Sequence, residues 1–453
     1  METFVDLGLL NTRAWVAQER LLAPKVLHCC YNMVYWECSC LRASEVDPLG
    51  EMSADGANGS LVRLNNIKSD MAPIDADSAR RHGGTSILAR VEPFHLIVSS
   101  YYFSKELTYP RDRLPAISGI ARWFMEHLCL PPESYLAGLW QEALPQCLLW
   151  HLHKPPERGA VRDLEAGPSW SWASVISEGR LTHGGSNMWA LNNPHPLFRN
   201  LQPTIVPTNG DHFGQLDTAT LRLQVSIFPI EREWRDSAPH MRLCGEKKWY
   251  PEAYSPLGIE PKDFKEKLQT IITDAAYRLG ILSKEQYFEY KDKITIRSYA
   301  HLRWDTTDML RLDGTSSRTR RLYMVPIAWG SDKDSSKVTN PRKCPIRGLI
   351  LQRLPNRGQY VRVGVFMTEC YGSHQNTELA EAIIQRIPRK AIARFSERYI
   401  TQSRTRLWMR SLGATDNLLS DIRRGWSRKV ATSIGPDDHL GTDAEGLYII
   451  DIL

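Results

Sequence analysis

The sequence predicts an α+β protein, and three observations carry that expectation. Leu221, Leu223, Val225 and Ile227 alternate with Arg222, Gln224 and Ser226, the period-two pattern of a half-buried strand. Ile117, Ile120, Ala121, Phe124 and Leu128 recur at helical spacing and form one apolar stripe. Through much of the second half no helix separates neighbouring strands, which favours antiparallel pairing.

The elements follow in order. Asn11 or Thr12 is placed to cap a helix that runs through Trp15 and Leu22 and must end near Pro24, which has no N–H to donate. Val26–Cys29 and Val34–Cys38 are β-rich runs around a turn at Tyr31-Asn32. Residues 45–92 are rich in Gly, Ser, Asp and Asn and predict a loop or mobile insertion. Residues 93–167 predict a helical unit. Its first helix carries the Ile117–Leu128 stripe, with Pro115 in the first turn. Its second carries Leu136, Leu139, Trp140, Leu144 and Leu148, divided or kinked at Pro145. Residues 168–453 predict a β-rich domain. Val361, Val363 and Val365 alternate with Tyr360, Arg362 and Gly364, and Gly348–Gln352 and Leu447–Ile452 are further strands. Two helical insertions are expected near 255–295, around Asp263–Leu268, and near 375–440. There is no internal repeat.

At 453 residues the chain is long enough for two or three units of roughly 100–200 residues each. With 42% hydrophobic and 24% charged residues it reads as globular rather than disordered. No apolar run reaches the roughly 20 residues of a membrane span, and Met1–Asp6 lacks the basic and apolar regions of a secretory leader. Nine cysteines, thinly spread, fit a reducing, cytoplasmic setting. Cys29, Cys30, Cys38 and Cys40 cluster beside His28. The Cys38-x-Cys40 spacing is tighter than a zinc knuckle and no second pair follows, so free buried thiols are expected and no metal. The net charge of +6 is unevenly placed: between Arg386 and Lys429 twelve Lys/Arg face three acids. That stretch, with Phe395, Tyr399, Trp408 and Trp426, reads either as a solvated helical insertion or as a nucleic-acid-binding segment.

Three blocks carry a resemblance. The first is Arg13-Ala14-Trp15-Val16-Ala17-Gln18-Glu19-Arg20, followed by Trp36-Glu37-Cys38. It resembles the last conserved block of the fungal heterokaryon-incompatibility (HET) domain, which runs Arg-x-Trp-Thr-x-Gln-Glu, a strand, then Trp-Glu-Cys. The second is Asp112-Arg113-Leu114-Pro115-Ala116-Ile117, then Tyr135-Leu136-Ala137-Gly138-Leu139-Trp140. The third is Pro168-Ser169-Trp170-Ser171-Trp172. The last two are similar to the region that follows the HET domain in many fungal proteins. Val16 stands where the family favours Thr, and the family's earlier blocks, of the Leu-Ser-Tyr-x-Trp-Gly type, are missing. The resemblance thus implies a remnant of an α/β HET domain over residues 1–44, a truncated form whose few strands would lack sheet partners.

The resemblance implies a role in fungal non-self recognition and the programmed cell death that follows incompatible fusion. With most of the effector missing, the leading expectation is a non-catalytic interaction or regulatory protein with unidentified protein partners and no cofactor. The alternative takes NAD as substrate. Trp15 and Glu19 share a helix face at the Trp-x-x-x-Glu spacing of TIR domains, whose glutamate serves NAD cleavage in the enzymatic members. A carboxylate there can stabilise an oxocarbenium-like ribosyl centre. The plainer reading pairs Glu19 with Arg13, Arg20 or a backbone donor and puts Trp15 in the core. Ser169-Trp170-Ser171-Trp172 lacks a Gly-x-Ser-x-Gly elbow, despite His183 nearby. On a strand its two indoles would point one way and pack structurally. His151 and His153 lack further metal ligands, and there is no phosphate-binding Gly-x-x-x-x-Gly-Lys loop.

Overall fold

Arg13 holds an extended backbone and turns the chain into helix α1 (Ala14–Leu22). In this computed structural model the described residues are 5, 8–38, 41–51, 87–99, 103, 105–152, 160–177, 181–182, 192–235, 238–252, 283, 301–309, 321–331, 346–368, 377–388, 391 and 434–453. Asn11 and Thr12 do not cap α1, contrary to expectation. They lie in a 3-10 turn, where Asn11 Nδ2 donates to Val5 O and Thr12 Oγ1 to Leu9 O. The helix stops where expected, with Ala23 N–H closing on Glu19 O just before Pro24.

Four antiparallel strands follow in the order β1 (Lys25–Cys29), β2 (Val34–Cys38), β3 (Arg42–Ser44) and β4 (Asp47–Glu51). The strands of the first block therefore find partners within this chain, against the expectation of orphaned edges. β4 and α2 (Ile87–Ile97) also trim the predicted 45–92 loop at both ends. Residues 52–86 of that loop lie outside the described residues.

Helix α3 (Ser118–Leu128) realises the apolar stripe, burying Ile120, Ala121, Phe124 and Leu128. The second predicted helix does not form. Its residues make a hairpin of β5 (Tyr135–Leu136) and β6 (Leu139–Trp140), then 3-10 turns at Gln141–Ala143 and Gln146–Leu149. Ala137 and Gly138 sit at φ 48° and 92°, a left-handed turn no α-helix can pass through, and Pro145 withholds a donor. The short strands β7 (His151–Leu152), β8 (Val161–Arg162), β9 (Val175–Ile176) and β10 (Leu181–Thr182) pair as β7 with β10 and β8 with β9. Between them the expected strand through Trp170 and Trp172 is a 3-10 turn, Trp172–Ser174. Ser171 Oγ caps it by accepting Ala173 N–H at 3.1 Å.

The remaining strands build one twelve-stranded sheet. They are β11 (Asn192–Pro196), β12 (Arg199–Pro207), β13 (Leu216–Val225), β14 (Phe228–Arg235), β15 (Ala238–Leu243), β16 (Tyr250–Pro251), β17 (His301–Trp304), β18 (Leu322–Ser331), β19 (Ile346–Arg353), β20 (Gln359–Met367), β21 (Gly441–Thr442) and β22 (Tyr448–Ile452). The order is β12-β13-β22-β20-β19-β18-β14-β15-β16, with β11 on β18, β17 on β20 and β21 on β22. Every pairing is antiparallel except β20 with β22, parallel at Gln359–Tyr360. Tyr323, Val325, Leu349, Leu351 and Val365 join the core of the helical unit. Leu322, Met324, Ile350 and Phe366 join a second core with helix α4 (Thr377–Ile384) through Leu379, Ala380 and Ile383. Covered on both faces, β19 is buried at six consecutive positions, from Ile346 to Leu351. The predicted insertion near 375–440 thus begins as part of this core, whereas Asp263–Leu268 lie outside the described residues.

A buried polar seam joins the helical unit to the sheet. Arg362 on β20 is wholly buried, and its guanidinium stacks 3.4 Å above the Trp150 ring. It donates to Leu148 O at 2.9 Å and to Trp150 O, and its Nε lies 3.1 Å from Asp305 Oδ2. Arg162 donates to the same Asp305 oxygen at 2.8 Å, to Ser169 O and to Ser174 Oγ. Burial lowers the Arg362 pKa to about 10, with Asp305 working against the fall, so the group stays charged at neutral pH. Among the described residues no helix is long and apolar enough to cross a membrane.

Asp305→Asn would leave two guanidiniums facing one another in a site closed to water. A loss of about 3–5 kcal/mol in unfolding free energy is expected in urea titrations. A loss below about 1 kcal/mol would show that the seam does not depend on this charge.

Candidate functional site

The first block meets the second where α1 packs on α3, and the second meets the third at the turn between β5 and β6. Gln18, which follows Trp15 by three residues on α1, turns inward. Its Oε1 accepts Gly119 N–H at 3.0 Å, one of the donors an α-helix leaves open at its start. A Cβ on Gly119 would lie 2.8 Å from that oxygen and 2.9 Å from Leu22 Cδ1, so the close approach needs glycine. The second and third blocks interlock just as closely. Trp172 Nε1 donates to Gly138 O at 2.9 Å and Ser171 Oγ to Ala137 O at 2.5 Å. The indole lies over Gly138, where a Cβ would come within 2.8 Å of it. Trp140, Trp170 and Trp172 are fully buried, and Leu114 nearly so. Trp140 meets Phe94 and Tyr135 edge-on, and Trp150 Nε1 donates to Trp170 O at 2.9 Å. Asp112 sits at the rim of the helical unit, where its Oδ1 accepts from Gln215 at 3.3 Å.

The first block divides differently from the plain expectation. Trp15 is not core but 36% exposed, and Glu19 is exposed beside it one turn on. Glu19 does not take Arg20 as its partner. Arg20 points into the protein and donates from Nε and Nη2 to Glu37 Oε2 at 2.9 and 2.8 Å. His28 Nε2 lies 3.0 Å from the same oxygen, and since a carboxylate only accepts, that nitrogen carries the proton. Glu37 is fully buried and Arg20 nearly so. Arg13, exposed, contributes backbone: it bridges to Glu106, whose carbonyl accepts Ala14 N–H at 2.9 Å.

The small sheet is therefore inverted in polarity. Register places Val26, His28, Tyr35 and Glu37 on the face that receives Arg20. Leu27, Val34, Trp36, Cys38 and Ala43 occupy the other, and Leu27 is 60% exposed. Cys29 is exposed and Cys30 and Cys38 are half-buried free thiols, so the expected burial of these cysteines is not met. Among the described residues no three His, Cys, Asp or Glu side chains gather where a metal ion could sit.

His151 is buried at the seam, while His153 and His183 lie outside the described residues. So does nearly all of the basic stretch 386–429. At its start Ile387 and Ala391 are core, and Arg386 donates to Glu246 and to Ala382 O. That beginning is thus packed rather than solvated. Two clusters, Arg20–Glu37–His28 and Arg162–Asp305–Arg362, escaped sequence reasoning. Arg20, His28 and Glu37 lie in or beside the first block but at no spacing that announces an ion-pair cluster, whereas Arg162, Asp305 and Arg362 are far apart in sequence and follow no motif. The chain matches no protein-family model, no curated protein and no solved structure.

Gly138→Ala would force a side chain into a left-handed backbone and against the Trp172 indole. A loss of about 3 kcal/mol is expected by thermal or urea unfolding. A neutral result would show that the two blocks are not locked at this point.

Proposed function

We propose that this chain is a HET-related protein of fungal non-self recognition that works as an interaction or regulatory protein, without catalysis of its own. The observation that carries the reading is the division of labour on α1. Gln18 and Arg20 anchor the helix, whereas Trp15 and Glu19 reach solvent. A solvent-accessible tryptophan beside a carboxylate is the composition of a recognition surface, since Trp supplies a large contact area at little entropic cost. The same access to water counts against NAD cleavage. A carboxylate stabilises a developing ribosyl cation strongly only where water is excluded and its position is fixed.

The interlocking of the three blocks supports treating them as one unit, as the resemblance to HET proteins requires. Its partners in this reading are other proteins, met in the cytoplasm.

Purified protein incubated with NAD is expected to release no nicotinamide above the protein-free blank, and Glu19→Gln is expected to behave identically. Release by the native chain that vanishes in Glu19→Gln would replace this reading with that of a NAD-cleaving effector. Expressed alone in a fungal host, the chain is expected to leave viability unchanged. Glu19, at the surface, can be changed to Gln with an effect on stability of no more than about 0.5 kcal/mol. Trp15→Ala removes a ring of which only 36% is exposed and should cost about 1–3 kcal/mol in urea unfolding, so a phenotype of Glu19→Gln is the one that reports on recognition rather than folding.

A further inference from the structure

Among the described residues the four-stranded sheet ends at β1, and that edge differs from the other terminal strands of the two main sheets. The large sheet ends at β12 and β16. β12 carries Pro203 and Pro207 and its register against β13 breaks twice, while β16 is two residues long and ends in Pro251. β4, the far edge of the small sheet, carries Pro48 and a register break against β3. Proline withholds a donor and a bulge twists the ladder, so each of these edges resists further pairing. β1 has neither device. Lys25 to Cys29 runs in unbroken register against Cys38 to Val34, without proline, and its lysine stands at the end of the strand.

The hydrogen bonds of the neighbouring strands fix which groups β1 offers. Glu45 N–H donates to Val34 O and Cys38 N–H to Leu41 O, so Val34, Trp36 and Cys38 turn their backbone groups toward β3. By alternation Tyr35 and Glu37 turn theirs toward β1, where they meet His28 and Val26. Lys25, Leu27 and Cys29 therefore aim their N–H and C=O groups outward, and these are the exposed residues of the strand.

We propose that this edge pairs antiparallel with the same edge of a second copy, giving a two-fold dimer in which the small sheets of both copies form one continuous sheet. The outward set is symmetric about Leu27. With the axis there, Leu27 opposes the partner's Leu27, and Lys25 opposes the partner's Cys29. Both bonds of each such pair form, and no outward group of the strand is left over. Charge agrees, because the two lysines lie at opposite ends, about 13 Å apart along the strands, and neither faces the other. Any extended segment would meet the backbone groups. A second β1 also places a leucine about 5.5 Å from the largely exposed Leu27, on the face that carries Val34, Trp36 and Ala43. A five-residue edge buries less than the roughly 1,200 Å² at the low end of stable interfaces, so the dimer dissociates on dilution. Nothing in this rests on α1 as a recognition surface, and Glu19→Gln should leave the dimer intact.

Sedimentation velocity of the full chain in reducing buffer, from about 1 to about 100 μM, reads the association. The native protein should move from the monomer mass toward twice that mass across the range. Leu27→Lys sets two like charges directly opposite one another and should weaken the dimer about tenfold or more. Cys29→Lys does the same at both ends of the paired strands and serves where Leu27→Lys does not fold. Hydrogen exchange locates the contact: the peptide covering 25–30 should exchange more slowly as the native protein is concentrated, and this slowing should shrink in both variants. A chain still monomeric at about 100 μM, a dimer that both variants leave unchanged, or exchange in 25–30 that ignores concentration would overturn the proposal. Protection of 25–30 in a chain that stays monomeric would assign the edge to another part of the same chain and overturn it as well.

Discussion

The Arg362–Asp305 pair is the constraint around which the rest of the molecule is arranged. Arg362 sits on β20, the strand that neighbours β17, β19 and β22, and its charge is taken completely out of water. Desolvating a guanidinium costs several kcal/mol unless its donors are met. The chain meets them with one carboxylate, two carbonyls from the helical unit and the face of Trp150. Asp305 in turn fixes Arg162, and Arg162 fixes the Ser169–Ser174 turn. A purely apolar seam would let the two layers slide. Directional bonds from a buried cation admit one register only.

Legibility in the sequence followed how local the determining physics was. Alternation in Leu221–Val225 and the stripe Ile117–Leu128 depend on one element and one core, and both appear as expected. The same alternation around Val361–Val365 identified a strand but misled about its faces. Tyr360 and Arg362 look like the solvent side, yet both are fully buried, because the helical unit covers that side. Leu136–Leu148 looks helical in composition, but the backbone at Ala137 and Gly138 is set by the indole of Trp172, some thirty-four residues away. Ser169-Trp170-Ser171-Trp172 reads as a strand until Ser171 caps a turn instead.

The same contrast governs the first block. Glu19 and Arg20 are adjacent in sequence and opposite in fate. One carboxylate keeps its access to water while the neighbouring cation crosses to Glu37, which only the β1–β2 hairpin brings near. The first sequence block contains Glu19 and Glu37 alike. Position in the fold, rather than membership of the motif, separates the acid that anchors the helix from the one left at the surface.

The pairing of β13 with β22 has a consequence for how the chain acquires its shape. Arg222 and Asp451 form a two-bonded ion pair across a separation of 229 residues, and Ser169 meets Leu453 across 284. Loops of that size close late and slowly. During synthesis β13 presents an unpaired hydrogen-bonding edge, and the Trp170 turn stands without its cover, until β22 arrives between β13 and β20. The molecule thus spends its nascent life with the middle of its largest sheet open, a state in which strand edges recruit one another and chaperones find their clients.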